Sequence, residues 1–389
     1  MQPPDDLHRL QNAATRGDIE TMIDLAISVA EKGEISRALA PFEEAVAAGD
    51  LRGYRARGLV LEALGQTHEA REAYEAAVEA GDPEAANFLG RLLRDEGRYP
   101  EAEHVYVNAL ASGNVDVLLN YGNLLADDLK RCTDAENAYR QAIAAGDSQA
   151  HCNLAVLLDE QGRLEEAQEE YERALVTGDA LAHRNYGLFL IERGKVEQGE
   201  SHLRRAIEMG ESCARLALGD LLLNRGQAGD AEEQYQKAVV EHVEDARLHY
   251  GNFLSRRGRL IEAEQQLRGA IDDGDEGARL NLGLVLVRQG RDKDAEIEYE
   301  SVLASGDSNG HLNLANLLRE RGDIAASEAH YQAALAAGDT LAHDDYGLLL
   351  QRVGRLDEAE QHFRAAIEET GDADARSHLE VLLSTKSND

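Results

Sequence analysis

Apolar and small residues recur along this chain in pairs of short stripes. The stretch from Asp147 reads DSQAHCNLAVLLDEQG and then RLEEAQEEYERALVTG. In the first half Ala150, Leu154, Ala155, Leu157 and Leu158 fall on one face of a 3.6-residue helix. In the second half Leu164, Ala167, Tyr171, Ala174 and Leu175 do the same. The pattern predicts a helix A and a helix B joined by a short turn. Gly162 is placed to end helix A and Gly178 to end helix B, because glycine enters the left-handed conformation after a helix cheaply. Asp179 then caps the following helix.

The pair of stripes repeats. Gly-Asp begins at residues 17, 49, 81, 146, 178, 274, 306, 338 and 371, and Gly113-Asn114 and Gly210-Glu211 fill two gaps. The spacing is 32 residues, with one extra residue between 113 and 146 and between 338 and 371. His242-Val243 keeps the register but loses the motif. A fixed period of this length predicts stacked repeats, each burying its apolar face only against its neighbours. The expected layout is a lone B-type helix at 5–17, eleven repeats over 18–371 forming one elongated domain, a capping A-type helix at 372–383 and a tail at 384–389.

Small residues recur where two helices must approach. Helix A carries Gly58, Gly90, Gly122, Ala155, Gly187, Gly219, Gly251, Gly283, Ala315 and Gly347 at one register position. Helix B carries an alanine such as Ala70, Ala102, Ala135 or Ala167, followed four residues later by Tyr74, Tyr106, Tyr139 or Tyr171. The aromatic column reads as core.

This order of small residue, G-x-x-x-EA, Tyr and Ala resembles the tetratricopeptide repeat, over nearly the whole chain. The turn between repeats departs from it. A-x-x-G-D-x-x-A replaces the family's Asp-Pro turn and is similar to the junction of Sel-like repeats, which accounts for a period shorter than the usual 34 or so residues. The resemblance implies an all-α, right-handed alpha-alpha superhelical solenoid whose A helices line a concave groove. The groove position just before the packing Leu or Tyr of helix A holds Asn120, Asn153, Asn185, Asn281 and Asn313, with Ala217 and His249 between them and Asp345 after. The phrases AHCNLA (150–155) and HLNLAN (311–316) resemble the repeats of O-linked N-acetylglucosamine transferases. In that family an asparagine ladder grips an extended peptide backbone. No stretch is left here for the catalytic domain of those enzymes, so the resemblance implies peptide binding and not sugar transfer. The same asparagines, bonding within their own repeat, would instead support the fold. Asn123, Asn252 and Asn316 lie three residues further along the same face.

Charge changes the picture in two ways. The chain has 74 acidic against 40 basic residues, a net charge of −34. Such a surface repels phosphate backbones and anionic lipid, which excludes nucleic acid and membranes as expected partners. Charge on the groove side is also uneven. Arg52, Arg55, Arg91 and Arg94 come early, Asp127, Asp159, Glu160, Glu192 and Asp220 follow, and Arg256, Arg288, Arg319 and Arg352 come last. Arginines late in helix A complement its dipole. They also fit a partner of opposite charge pattern, with Arg55, Arg91 and Arg94 as the candidates for holding its carboxylates.

Candidate chemistry is thin. His151, Cys152 and Asn153 are the three side-chain types of a papain-like site, and His and Cys also ligate metals. Consecutive helical residues point about 100° apart, so these three do not converge. Helix B is dense in Glu, as at Glu165, Glu166, Glu169 and Glu170, but the pattern recurs on a solvated face. Phosphate loops, zinc motifs and nucleophile elbows are absent from the sequence. No catalytic residue, metal or cofactor is expected. The three cysteines, Cys132, Cys152 and Cys213, form no CxxC, and MQPPDDLHRL is no signal peptide, so a cytoplasmic setting is expected. The expectation is a non-catalytic scaffold that binds a peptide or partner protein. One alternative is self-assembly, with Leu379, Leu382 and Leu383 of the last helix either pairing two chains as a homodimer or covering the last repeat, and a second is a hidden enzyme whose turnover would depend on Cys152 or His151.

Overall fold

Glycine-Asp dipeptides set the helix boundaries. At Gly146 the backbone turns left-handed (φ 98°), its N–H reaches Ile143 O at 3.0 Å and the N–H of Asp147 reaches Ala142 O at 2.9 Å. These bonds satisfy carbonyls that the end of helix B would leave open. The Asp147 carboxylate then accepts the N–H of Gln149 at 3.0 Å and starts the next turn. The same side-chain bond recurs at Asp50, Asp82, Asp179, Asp307, Asp339 and Asp372.

The computed structural model describes residues 6–386, and among them helices are the only regular elements. Asp5 and the tail residues 387–389 lie outside the described residues. The chain divides into two compact units, Met1–His202 and Leu203–Asp389. The first unit opens with Asp6–Arg16 and continues with the A and B helices Ile19–Glu31 and Ile35–Ala47, Arg52–Ala63 and Thr67–Ala80, Ala85–Asp95 and Tyr99–Ala111. After these come Leu118–Asn123 with its extension Leu124–Asp128, Cys132–Ala145, Ala150–Glu160, Leu164–Val176 and Ala180–Glu192. Helix Val196–Glu208 contains the boundary. The second unit then has the pairs Ala214–Asn224 and Ala228–Val240, Ala246–Arg256 and Leu260–Asp272, Ala278–Arg288 and Asp292–Ala304, Gly310–Arg321 and Ile324–Ala336, and Ala342–Arg352 and Leu356–Thr370. It closes with Ala373–Lys386, which runs past the expected helix end at 383. In each unit helix A packs on the B helix of its own repeat and on the B helix before it. Each unit is therefore an all-α, alpha-alpha solenoid.

The core is the small-against-aromatic contact expected from the sequence. Tyr74, Tyr106, Tyr235, Tyr299 and Tyr331 are fully buried. A Cβ added at Gly90 would lie 2.3 Å from Cζ of Tyr106, and one at Gly283 would lie 2.3 Å from Cε1 of Tyr299. In the repeat of Tyr331 the helix A residue is Ala315, and the helix B alanine is replaced by Ser327, whose buried hydroxyl donates to Ala315 O at 2.8 Å. Leu382 is buried and Leu379 partly buried against the cluster around Phe363, so these two leucines cover the last repeat, while Leu383 is more exposed.

Both extra residues have a physical location. The one between 113 and 146 becomes a π turn at Leu124–Asp128, where Leu129 N–H bonds Leu124 O five residues back. The one between 338 and 371 lengthens a B helix to 15 residues, Leu356–Thr370. At the junction that lacks glycine, His242 takes the left-handed conformation itself (φ 54°) and makes the same bond from Val243 N–H to Ala238 O.

A side chain in that conformation costs about 1–2 kcal/mol, less the extra chain entropy that glycine brings. His242→Gly is expected to stabilise the chain by about 0.5–1 kcal/mol in a urea melt, and no gain would refute the strain at this junction. Gly90→Ala forces its methyl into the Tyr106 ring and is expected to cost about 1–3 kcal/mol in the same measurement.

Candidate functional site

The tyrosine of helix B lies beneath helix A, and its hydroxyl ends at a polar residue of helix A. Tyr139 donates to Asn123 Oδ1 at 2.8 Å, Tyr235 to Asp220 Oδ1 at 2.6 Å, and Tyr331 to Asn316 Oδ1. Burial holds each of these phenols far above its ordinary pKa, so each stays a donor. The acceptor then meets the candidate groove position of the next repeat. Asn153 Nδ2 donates to Asn123 Oδ1 at 2.8 Å, His249 Nδ1 lies 3.7 Å from Asp220 Oδ2, and Asn316 Nδ2 donates to Asp345 Oδ2 at 2.9 Å. The column thus ties one repeat to the next.

The five candidate asparagines are all half-buried, and they divide. Asn120 Nδ2 donates to Asn87 Oδ1 at 3.0 Å, Asn153 to Asn123, and Asn185 to Cys152 Sγ at 3.3 Å. Asn281 and Asn313, in the second unit, make no side-chain hydrogen bond among the described residues. The bonds of the first three cross to the preceding repeat and do not close within their own.

The candidate arginines hold carboxylates that belong to this chain. Arg55 donates from Nε to Asp82 at 3.1 Å and from Nη1 to Glu84, and its guanidinium lies 5.5 Å from the Phe88 ring centre. Arg91 donates to both oxygens of Glu62, at 2.7 and 2.9 Å. Arg94 pairs with Asp127 at 2.8 Å and with Asp128. The acidic partners of Arg55 and Arg94 sit about a repeat further along the chain, which single-repeat reasoning does not see.

His151, Cys152 and Asn153 face three different neighbours. His151 Nδ1 meets Glu170 Oε2 on its own helix B at 2.6 Å, Cys152 accepts from Asn185 of the next repeat, and Asn153 donates to the repeat before. Burial raises the Cys152 thiol, which disfavours the thiolate. Among the described residues no group of three or more His, Cys, Asp or Glu is placed to hold a metal ion.

The His151 position carries a feature the sequence reading missed. Its equivalents face histidines 19 residues on: His183 and His202 at 2.9 Å, His311 and His330 at 2.9 Å, His343 and His362 at 2.8 Å, Nδ1 to Nδ1 in each pair. One proton bridges each pair. The common 19-residue offset was the available signal.

Two hollows of one kind open between successive A helices. That of the first unit, about 210 Å³, is lined by Asn123, Asp127, Tyr139, Asn153, Val156 and Glu160 among others. That of the second, about 350 Å³, is lined by Asp220, Asn224, Tyr235, His249, Asn252 and Arg256 among others.

The tetratricopeptide-repeat family model matches residues 23–86, 55–116, 89–150, 124–182, 152–214, 216–277, 254–310 and 312–375. The chain belongs to the tetratricopeptide-repeat family. No curated protein matches it in sequence. Among solved structures it is similar to IFIT1, as a monomeric mutant with Gppp-AAAA, at 15% identity and TM-score 0.51, covering 94% of this chain and 95% of that one. It is also similar to c5321, a protective antigen of uropathogenic Escherichia coli with an SLR fold, at 19% identity and TM-score 0.48, covering 97% and 90%. A tetratricopeptide-repeat protein from Cytophaga hutchinsonii, its C-terminal part, matches at 16% identity and TM-score 0.42, covering 58% and 98%. These likenesses concern the fold. Tetratricopeptide-repeat solenoids are generally protein-interaction scaffolds and typically non-catalytic. Among the described residues no helix is long and apolar enough to cross a membrane.

The histidine pairs of this repeat protein make its stability depend on pH. Burial, and then the facing imidazole, hold His202, His330 and His362 below the ordinary value of 6.5. The unfolded chain therefore takes up protons that the folded one resists, and this stability, complete above about pH 6.5, is lost as pH falls. His249 is raised by its bond to Asp220 and works in the opposite sense. Between pH 7.5 and 5.5 the triple variant H202Q/H330Q/H362Q is expected to lose less Tm than the parent. An equal loss would remove the pairs as the cause.

Proposed function

We propose that this repeat protein is a non-catalytic scaffold that holds an extended segment of a partner protein against the A helices of its repeats. The observation that carries this reading is the pair Asn281 and Asn313. They occupy the same register position one repeat apart, half-buried, with no side-chain hydrogen bond among the described residues. A primary amide donates to and accepts from a single peptide unit. Helices pack about 8–10 Å apart and an extended chain advances about 3.3 Å per residue, so one amide per repeat meets about every third peptide residue.

Asn120, Asn153 and Asn185 have a second role in this reading. Their amide donors already join repeats, so a peptide there competes with an internal bond. Arg55, Arg91 and Arg94 are likewise committed to internal carboxylates. The second unit is therefore the stronger half of the proposal. A bond to a peptide contributes about 0.5–1.5 kcal/mol net, so affinity from these rungs alone is modest and tolerant of peptide sequence.

The test is partner capture with two sets of variants. Asn281→Ala with Asn313→Ala is expected to weaken binding several-fold while leaving the melting curve unchanged. Asn153→Ala removes a tie between repeats and is expected to lower stability by about 0.5–1.5 kcal/mol. Binding that survives the Asn281 and Asn313 pair of substitutions would end the peptide reading.

A further inference from the structure

Charge in this chain is sorted by helix. In the second unit the A helices, from Ala214–Asn224 to Ala342–Arg352, hold eight arginines against four carboxylates. In the first unit the A helices hold six arginines against ten carboxylates. The second unit thus presents an excess of positive charge on one class of helix within a chain of net charge −34.

Most of those arginines are answered from within. Arg215 pairs with Glu241, Arg247 with Asp273, Arg279 with Glu276 and Glu298, Arg319 with Asp345, and Arg321 with Glu296. Three have no carboxylate partner among the described residues: Arg256, Arg288 and Arg352. All three are exposed, and they share one register position, whose other two places in the second unit are Asn224 and Glu320. The corresponding position in the first unit holds Asp127, Glu160 and Glu192.

Two of the three are also held in place. Arg288 Nη1 donates to Ser255 O at 2.7 Å and to Ser255 Oγ at 2.8 Å, and Arg352 Nη1 donates to Arg319 O at 3.1 Å. Each reaches back to the C-terminal end of the preceding A helix, where the dipole favours a cation. The remaining guanidinium donors, Nε and Nη2, have no partner among the described residues. Arg256 has no hydrogen bond or ion pair there at all, and it lines the hollow of about 350 Å³ beside Asn252, which also has no side-chain bond among the described residues. The one carboxylate in that hollow, Asp220, is already bonded to Tyr235 and paired with His249; the charge of Arg256 also helps hold it below the usual carboxylate range, without an ion pair between the two.

We infer that this face of the second unit takes an extended acidic segment of a partner protein, whose Asp or Glu carboxylates pair with Arg256, Arg288 and Arg352. The inference rests on the peptide-binding reading above and names the chemistry of the peptide. Guanidinium and carboxylate match in a planar, two-bond geometry. The net charge of the chain opposes a uniform polyanion such as nucleic acid. A peptide with a few spaced carboxylates meets the arginines at contact distance, while charges further than about 8 Å are screened at physiological salt. Repeat spacing also sets the pattern. Arg256 and Arg288 are one repeat apart and Arg288 and Arg352 two, so the carboxylates belong about three and then about six residues apart.

The test uses the full chain and peptides of otherwise uncharged residues that carry three Glu at that spacing and an uncharged dye, read by anisotropy. Controls carry Gln in place of Glu, or the three Glu side by side. The spaced Glu peptide is expected to bind, and R256A/R288A/R352A to weaken it by about tenfold or more. Arg247→Ala, which removes an arginine already paired with Asp273, is expected to change it less than about twofold. Circular dichroism confirms that the variants are folded, and the Gln peptide probes the same charge without altering the protein. Equal binding of the Gln and Glu peptides, or full affinity in the triple variant, would overturn the inference. If the Gln peptide binds equally and loses affinity with Asn281→Ala and Asn313→Ala, the scaffold reading survives and the acidic preference does not. Tighter binding of single-stranded oligonucleotide than of the Glu peptide also overturns it, and binding of neither peptide overturns both readings.

Discussion

Most repeats depend on how closely helix A can approach the aromatic ring of helix B, and beneath Gly251 a leucine, Leu267, takes the place of the ring. At Gly90 there is no room for a Cβ above Tyr106, and Gly58, Gly122, Gly219, Gly283 and Gly347 stand in the same relation to their rings. That approach buries the ring and carries the phenol oxygen through to the groove side of helix A. Repeats stabilise one another only through their neighbours, so the polar group that receives this hydroxyl becomes the natural place for the next repeat to attach. Tyr139, Asn123 and Asn153 form one such chain of bonds; in another, Tyr235 bonds Asp220 and His249 of the next repeat stands 3.7 Å from that carboxylate. Core packing and groove chemistry are two ends of one side chain.

What was legible in the sequence was whatever recurs. The helix pairs, the Gly-Asp turns, the small-against-aromatic contact and the approximate place of the extra residues all follow from register alone. The detail that did not recur was not legible. Spacing shows an additional residue between 113 and 146 but not that it enters as a π turn at Leu124–Asp128. Glycine's absence at 242 does not announce that histidine will adopt glycine's conformation.

The candidate site was legible as a set of positions and much less as a set of partners. Register places Asn153 and Asn281 equivalently, and the residues at the partner position in the repeat before, Asn123 and Asn252, are of one type, yet Asn153 bonds Asn123 while Asn281 makes no side-chain bond among the described residues. A partner some 30 residues away, on a neighbouring repeat whose side chains vary freely, is invisible to a reading of one repeat at a time. The same holds for Arg55 and Arg94, whose carboxylates at Asp82 and Asp128 lie in the next repeat. The histidine pairs differ. Their constant 19-residue offset is visible, but only once helices A and B are known to face each other there.

In a network this saturated, the groups that can meet a partner are those whose departure from their present bonds costs least. Asp82 is only 6% exposed, so moving Arg55 onto a partner's carboxylate would strand a buried charge. Breaking such a pair costs about 3–5 kcal/mol, against about 1.5–3 kcal/mol for a new charged hydrogen bond. The exchange is uphill, whatever the partner. Arg256 breaks no ion pair or hydrogen bond among the described residues, and Arg288 keeps its bond to Ser255 while its other donors engage. Asn281 and Asn313 stand in the same position among the amides. Counting arginines or asparagines along the A helices therefore overstates what the first unit has free to offer, and on the proposed reading the selectivity of the second would come from the residues that its own fold has left without a partner.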